Sequence, residues 1–413
     1  MMDKILIGIV GWNIAETTRM IEVASIFHNE YECHFFSYGG QFEYLVEEAG
    51  YQLHHLLPIE DEKKIQHLWK VDRGERFRQP WSLKELDQRI HNEITLIDQI
   101  QPSFAFLGSV LTFSMSCKIR NVKLFNVIPL ALSRPYLEAG LPISPFWPVW
   151  FNRLIRFVFL RVPLLVTNFR KIAKKFNLEP PKIALDVWLG DVNIVADIKE
   201  LSLLKDLPKN WYFSGPLFAN LKQEIPEDIK NRLKLASKTK IYFAMGSSAN
   251  HKVMIKTLQA FEGLDVLVVA PIMSHLKDND IVPSNVMITD WLPALEIMKL
   301  VDFAVTHGGQ GTVQTTVISG KPFIGIGMQP EQELNIYPFV VFGNALQISK
   351  AKVSKHKLQM AIKKMIEKES FKLKALEAKS ILESHNTYKI IETIVKTEIG
   401  QKTTHKVSQT IGE

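Results

Sequence analysis

From Val305 to Asn335 the chain reads VTHGGQGTVQTTVISGKPFIGIGMQPEQELN, and several of these side chains could handle a phosphorylated sugar. His307 can donate a hydrogen bond to a phosphate oxygen, and Thr312 can do the same. Gly308, Gly309 and Gly311 let the backbone approach a ligand closely. A helix opening at Thr312 would present free N–H groups and the positive end of its dipole to an anion. Glu331 and Gln332, with Asn335 beyond them, offer acceptors and amide donors suited to sugar hydroxyls. Together the set reads as a site for a nucleotide diphosphate sugar.

Such a site needs a frame. A β-like run from Asp302 to Val305 must deliver His307, and the helix behind it must stop at Gly320–Lys321–Pro322. Strands over Lys240–Met245, Val266–Ala270, Val286–Thr289 and Phe323–Ile326 complete the second half. The first of these ends at Gly246–Ser247–Ser248, a second turn facing the phosphates, with Ser247 the expected contact. The first half alternates in the same way: strands over Lys4–Val10, Cys33–Tyr38, Phe104–Leu107, Leu124–Ile128 and Asn193–Ala196, and helices over Thr17–Phe27 and Gln41–Ala49. His67–Pro80 reads as a polar loop. Alternation of this kind marks α/β architecture with parallel sheets. At 413 residues the chain exceeds one core, and two doubly wound units suit two facing Rossmann-like domains. The expected divisions are 1–216, 217–383, a helix over 384–400 and a disordered tail over 401–413.

Composition narrows the function classes. A hydrophobic fraction of 46% and a charged fraction of 23% are those of a globular protein. Cys33 and Cys117 can build neither a disulfide framework nor a zinc site. The first residues lead straight into a strand with no signal peptide, so a reducing cytoplasm is expected. The net charge of +7 is spread out, and no basic stripe interleaved with aromatics points to nucleic acid. The segment 141–168 stands apart, with Phe146, Trp147, Trp150, Phe151, Phe157 and Phe159 set among Arg153, Arg156 and Arg161. Its arginines and prolines argue against a transmembrane helix. Three readings are open for it: lying on a membrane surface at the inner membrane face, lining an apolar acceptor cleft, or forming a buried helix between elements.

The donor segment resembles the signature of the GT-B glycosyltransferases, specifically the UDP-glycosyltransferase family with its bacterial macrolide-modifying and glucuronosyl-transferring relatives. Three parts occur in order: Trp291–Leu292–Pro293, His307–Gly308–Gly309 and Glu331–Gln332. The resemblance implies that Trp291 stacks on the nucleobase, the His-Gly-Gly turn holds the diphosphate and Glu331–Gln332 closes on the sugar. It also implies that the last helix crosses back to the first domain. Two departures bear on the carrier. Ala294 stands where plant members have Gln, and Thr315 stands where many UDP-sugar users place a ribose-binding Glu. Gln314 beside it is a candidate replacement. UDP is the expected carrier, and dTDP stays open.

On the acceptor side the family uses a His base oriented by an Asp. Setting Glu16-Thr17-Thr18-Arg19 on the bacterial Gly-His-x-x-(Arg/Pro) pattern puts Glu16 at the His position. The stretch Phe106-Leu107-Gly108-Ser109-Val110, where the Asp is expected, holds no carboxylate. Glu16 is therefore the candidate base, with His28 or Asp72 as substitutes if the register differs. Asp278-Asn279-Asp280 falls in a polar loop, so no metal and no other cofactor is expected. The resemblance implies an inverting, metal-independent hexosyltransferase acting on a hydroxyl of an apolar small-molecule or lipid acceptor. The alternatives are a catalytically silent GT-B binding module and a nucleotide-sugar 2-epimerase, the latter disfavoured by the Glu331–Gln332 closure.

Overall fold

The computed structural model describes residues 2–72, 74–76, 78–217, 224–246 and 250–410. Two parallel sheets form from the two halves. In the first, β1 (Asp3–Gly8), β2 (Tyr31–Ser37), β3 (Gln52–His55), β4 (Phe104–Phe106), β5 (Lys123–Ile128), β6 (Val192–Val195) and β7 (Trp211–Phe213) lie in the order β3-β2-β1-β4-β5-β6-β7. The second holds β8 (Thr239–Ala244), β9 (Val266–Ala270), β10 (Val286–Ile288), β11 (Phe303–Thr306), β12 (Phe323–Gly325) and β13 (Ala345–Gln347), ordered β10-β9-β8-β11-β12-β13. Each order reverses direction once, between β1 and β4 and between β8 and β11. Open α/β sheets bind ligands at such a switch point, beyond the carboxyl ends of the strands.

The central strands are apolar on both faces because helices cover both. Ile5, Ile7, Phe35, Phe104, Phe106 and Phe125 are fully buried, as are Ile241, Phe243, Val268 and Val305. The edge strands β3, β7 and β13 carry no clear strand pattern in the sequence. They are short and only partly buried, so their composition resembles that of a loop.

Two expectations need correction. The stretch read as a loop from His67 begins inside a helix, Glu62–Asp72, whose Ile65, Leu68 and Trp69 fall at helical spacing and pack with Trp12 and Trp81. The segment 141–168 does contain a helix, Val149–Arg161, but Asn152 is its only buried residue, which overturns the buried alternative. The terminal helix is Thr387–Thr410, and residues 411–413 of the expected tail lie outside the described residues. No proline interrupts that run, and a single glycine is tolerated within a helix. Ile391 and Val395 of this helix join Met20, Val23 and Phe27 in the first domain's core, so the chain returns to its starting domain. No helix among the described residues is long and apolar enough to cross a membrane.

A buried polar knot fixes the loops that leave the first sheet. Glu60, after β3, pairs with Arg89 at 2.7 Å and accepts from the indole N–H groups of Trp12 at 3.0 Å and Trp81 at 3.3 Å. The Arg89 guanidinium also lies 3.5 Å from the Tyr38 ring centre. The knot thereby ties the loop after β1 to the loop after β3, immediately before the first helix. Removing one partner of a buried ion pair leaves the other charged without compensation. Arg89→Met should therefore cost about 3–5 kcal/mol in denaturant unfolding. A loss under about 1 kcal/mol would show the pair to be dispensable.

Candidate functional site

At the switch point of the second sheet, β8 and β11 end side by side. The backbone N–H of His307 donates to the Ala244 carbonyl at 3.1 Å, and Nδ1 of its ring reaches the same oxygen at 3.2 Å. A carbonyl only accepts, so Nδ1 carries the proton and Nε2 is a bare acceptor. Burial pushes the His307 pKa down to about 4. The ring is wedged between two glycines. A Cβ on Gly246 would stand 2.5 Å from Cε1, and one on Gly309 would stand 2.6 Å from Nε2. Gly308 adopts φ +86°, and a side chain there would strike Ile336 and the Gln332 carbonyl.

Helix Gln310–Ile318 follows, two residues earlier than the Thr312 start expected from sequence. Gly309 occupies its cap position with no side-chain cap, so its first N–H groups face the turn without one. Gly311 is exposed and Thr312 partly exposed in that first turn. Trp291, just beyond β10, is 49% exposed, an open aromatic surface of the kind a base stacks on. Ser247 lies outside the described residues.

Glu331, Gln332 and Asn335 sit on helix Pro330–Phe342 and divide the work differently from expectation. The Asn335 amide donates to the Gly308 carbonyl at 3.1 Å and to Glu331 Oε1 at 3.2 Å. Gln332 is buried, and its Oε1 accepts from the Met328 N–H at 2.9 Å, turning that end into the loop. Glu331 is thus the better placed of the pair to meet a sugar. Its enclosure raises its pKa, opposed by Asn335 and Arg19 and assisted by Glu16. Those last two residues belong to the other domain.

Glu16 occupies the first turn of helix Ile14–Phe27, which Asn13 caps. Glu16 Oε1 pairs with Arg19 Nη1 at 2.7 Å, and Oε2 accepts from Ser109 Oγ at 2.9 Å. Ser109 follows β4, where the sequence reading noted a missing Asp. The hydroxyl fixes the direction of the Glu16 carboxylate there. Arg19, only 6% exposed, also donates through Nη2 to Gln310 Oε1 at 2.9 Å, reaching the donor helix. The Gln310 amide in turn donates to the Ala196 carbonyl at 3.1 Å and to Asp197 at 3.4 Å. Burial lifts Asp197 to about 6 against the pull of the Leu130 N–H, Gln310 and Arg19.

Gln314, the candidate ribose contact, donates instead to the Ala196 carbonyl at 2.7 Å, and Thr315 beside it is buried. His28 ends the helix that Glu16 begins and pairs with the Ser25 carbonyl, away from the cleft. The Asp72 side chain lies outside the described residues. Asp280 is held by the Lys277 N–H and His251, and no cluster of three metal-ligating side chains occurs among the described residues. Arg19, Ser109 and Asp197 escaped the sequence reading as site residues. An Arg three residues after a Glu on a helix looks like a surface pair, and only the fold brings Ser109 and Asp197 near it.

Comparison with known proteins agrees with this geometry. Residues 255–393 match the family described as erythromycin biosynthesis protein CIII-like, C-terminal domain. A PGL/p-HBAD biosynthesis rhamnosyltransferase of Mycobacterium bovis is 22% identical over 382 residues, covering 89% of this chain and 82% of that protein. The human UDP-glucuronosyltransferase 3A2 is 29% identical over 190 residues, covering 43% of this chain and 36% of that protein. Among solved structures, the spinosyn forosaminyltransferase SpnP superposes with a TM-score of 0.68 at 16% identity, covering 96% of this chain and 99% of that one. The glycosyltransferase VinC, in complex with dTDP, gives 0.68 at 13% identity over 97% of this chain and 100% of that one.

The chain is a glycosyltransferase of the GT-B fold.

In this glycosyltransferase the signature histidine has an unexpected proton arrangement. With Nδ1–H committed to Ala244, Nε2 can donate to a phosphate only if it first binds a proton. A bound diphosphate favours the charged imidazole and raises its pKa above the free value of about 4. Binding should therefore take up a proton, and nucleotide diphosphate affinity should rise as pH falls from neutrality, levelling off near the free-state pKa. Titration calorimetry in buffers of different ionisation heat reads the uptake, and His307→Gln should abolish it. Zero uptake in the wild-type protein would leave phosphate binding to the backbone N–H groups alone.

Proposed function

We propose that this glycosyltransferase moves a hexose-type sugar from a nucleotide diphosphate carrier to a hydroxyl of an apolar small-molecule or lipid acceptor, with inversion and without a divalent ion. The observation carrying this reading is the chain of contacts Ser109–Glu16–Arg19–Gln310, which sets one carboxylate against the donor turn. Each Glu16 oxygen has one protein donor and keeps a lone pair for the acceptor hydroxyl. Glu16 takes the hydroxyl proton as the acceptor oxygen attacks the anomeric carbon from the face opposite the diphosphate. The bond to the leaving phosphate breaks, and its charge develops against the amino terminus of helix Gln310–Ile318 and His307. The positive potential of that helix end supplies what a divalent ion supplies elsewhere. The rhamnosyltransferase name of the mycobacterial relative supports a hexose-type donor.

If Glu16 is the base, Glu16→Gln keeps shape and donor affinity while turnover falls by roughly 10² to 10⁴. The assay is release of free nucleotide diphosphate with a candidate acceptor. Full activity in the variant would mean that the acceptor ionises unaided. No release from the wild type with any acceptor would favour a silent binding protein.

The carrier reading follows from Thr315 and Gln314. No carboxylate stands at the ribose position, and the Gln314 amide nitrogen is turned to Ala196. UDP and dTDP should therefore compete with dissociation constants within about tenfold of each other, since one good hydrogen bond to a ribose hydroxyl contributes about 0.5–1.5 kcal/mol. Competition titration checks this, and a hundredfold preference for UDP over dUDP would reveal an unassigned ribose contact.

A further inference from the structure

The helix Val149–Arg161 presents a surface to which the proposed transfer assigns no role. Val149, Trp150, Leu154 and Phe157 are exposed, Trp150 by 66% and Phe157 by 60%. They share their face with Arg153 and Arg161, both also exposed. From Ala139 to Leu178 the sequence holds seven arginines and lysines and no Asp or Glu, matching in size the net charge of +7 of the whole chain. Soluble monomers rarely expose contiguous large apolar groups without a partner for them.

The helix is nonetheless firmly seated. Asn152 accepts from the N–H groups of Ile143 and Ser144 and donates to the Ser144 and Trp147 carbonyls. Ser144 in turn bonds Glu333 on the helix that carries Glu331. The apolar face is therefore held outward by a built support.

We infer that this face docks on an anionic lipid bilayer, with the helix lying in the plane of the interface. Aromatic and aliphatic groups on one side with arginines among them, and no acidic residue, match such a surface in both polarity and charge. A two-fold dimer through the same face would set arginines against their own copies with no carboxylate between them. An anionic bilayer accommodates both features. The inference goes beyond the transferase reading, and its test reads binding rather than turnover.

The experiment is cosedimentation of the full chain with phosphatidylcholine vesicles, alone or mixed with phosphatidylglycerol. The expected result is binding to the mixed vesicles, at least about tenfold weaker binding to phosphatidylcholine alone, and weakening with salt. Arg153→Gln and Arg161→Gln should each weaken binding about fivefold. Phe157→Glu should remove it, with the melting temperature unchanged because the side chain is exposed. Failure of the wild type to bind mixed vesicles overturns the inference, as does undiminished binding by Phe157→Glu. Vesicle-independent self-association of the wild type that Phe157→Glu abolishes would assign the face to a second copy instead. Loss of turnover in Glu16→Gln with vesicle binding intact would keep the two readings apart.

Discussion

The strand-order reversal in each sheet is the constraint on which the site depends. Where neighbouring parallel strands send their chains to opposite sides, the backbone opens a crevice that no helix fills. The protein has two such crevices. β1 and β4 deliver Glu16 and Ser109 to one, and β8 and β11 deliver the Gly246 turn and His307 to the other. In each crevice a hydrogen bond joins the segments that leave the two strands, Ser109 to Glu16 at the start of the first helix and His307 to Ala244. A residue at one of these ends is placed by the sheet register, and its side chain is aimed by the neighbouring strand.

Arg19 connects the two crevices. A buried guanidinium demands partners, and this one takes a carboxylate from its own helix and an amide oxygen from the other domain. Such a pair is weak evidence for stability, because desolvation offsets much of the attraction. What it specifies is geometry. Gln310 is held at once by Arg19, Ala196 and Asp197, so the first turn of the donor helix is registered against the first domain. Movement of Glu16 away from the donor turn would leave Arg19 short of a partner on one side.

Legibility in the sequence follows the range of the interaction. The central strands could be read because burial on both faces makes them continuous apolar runs, whereas β3, β7 and β13 are half-exposed edges without that signal. The helix Glu62–Asp72 was hidden because its charged residues outnumber the apolar ones that pack. The glycine turn could be read because its requirement is local: the wedged imidazole and the positive φ at Gly308 exclude side chains. Which His307 nitrogen bears the proton could not be read, since Ala244 decides it from another strand. Gln332 was likewise legible as a residue but not in its direction, which Met328 fixes.

The same distinction separates the two halves of the site. A phosphate is recognised by backbone N–H groups and a helix end, and those demand particular residues at fixed short spacing. The proposed base is recognised by what surrounds it in space, and Glu16 draws its neighbours from distant parts of the chain: Ser109 after β4 and, through Arg19, Gln310 after β11. At the end of β4 the partner of Glu16 is a neutral hydroxyl, that of Ser109. A hydroxyl donor can orient a carboxylate without repelling it, whereas an Asp at that position would sit against a like charge. On the proposed reading, a Glu at position 16 and a hydroxyl at position 109 form one electrostatic solution, in which the second side chain orients the first without adding charge.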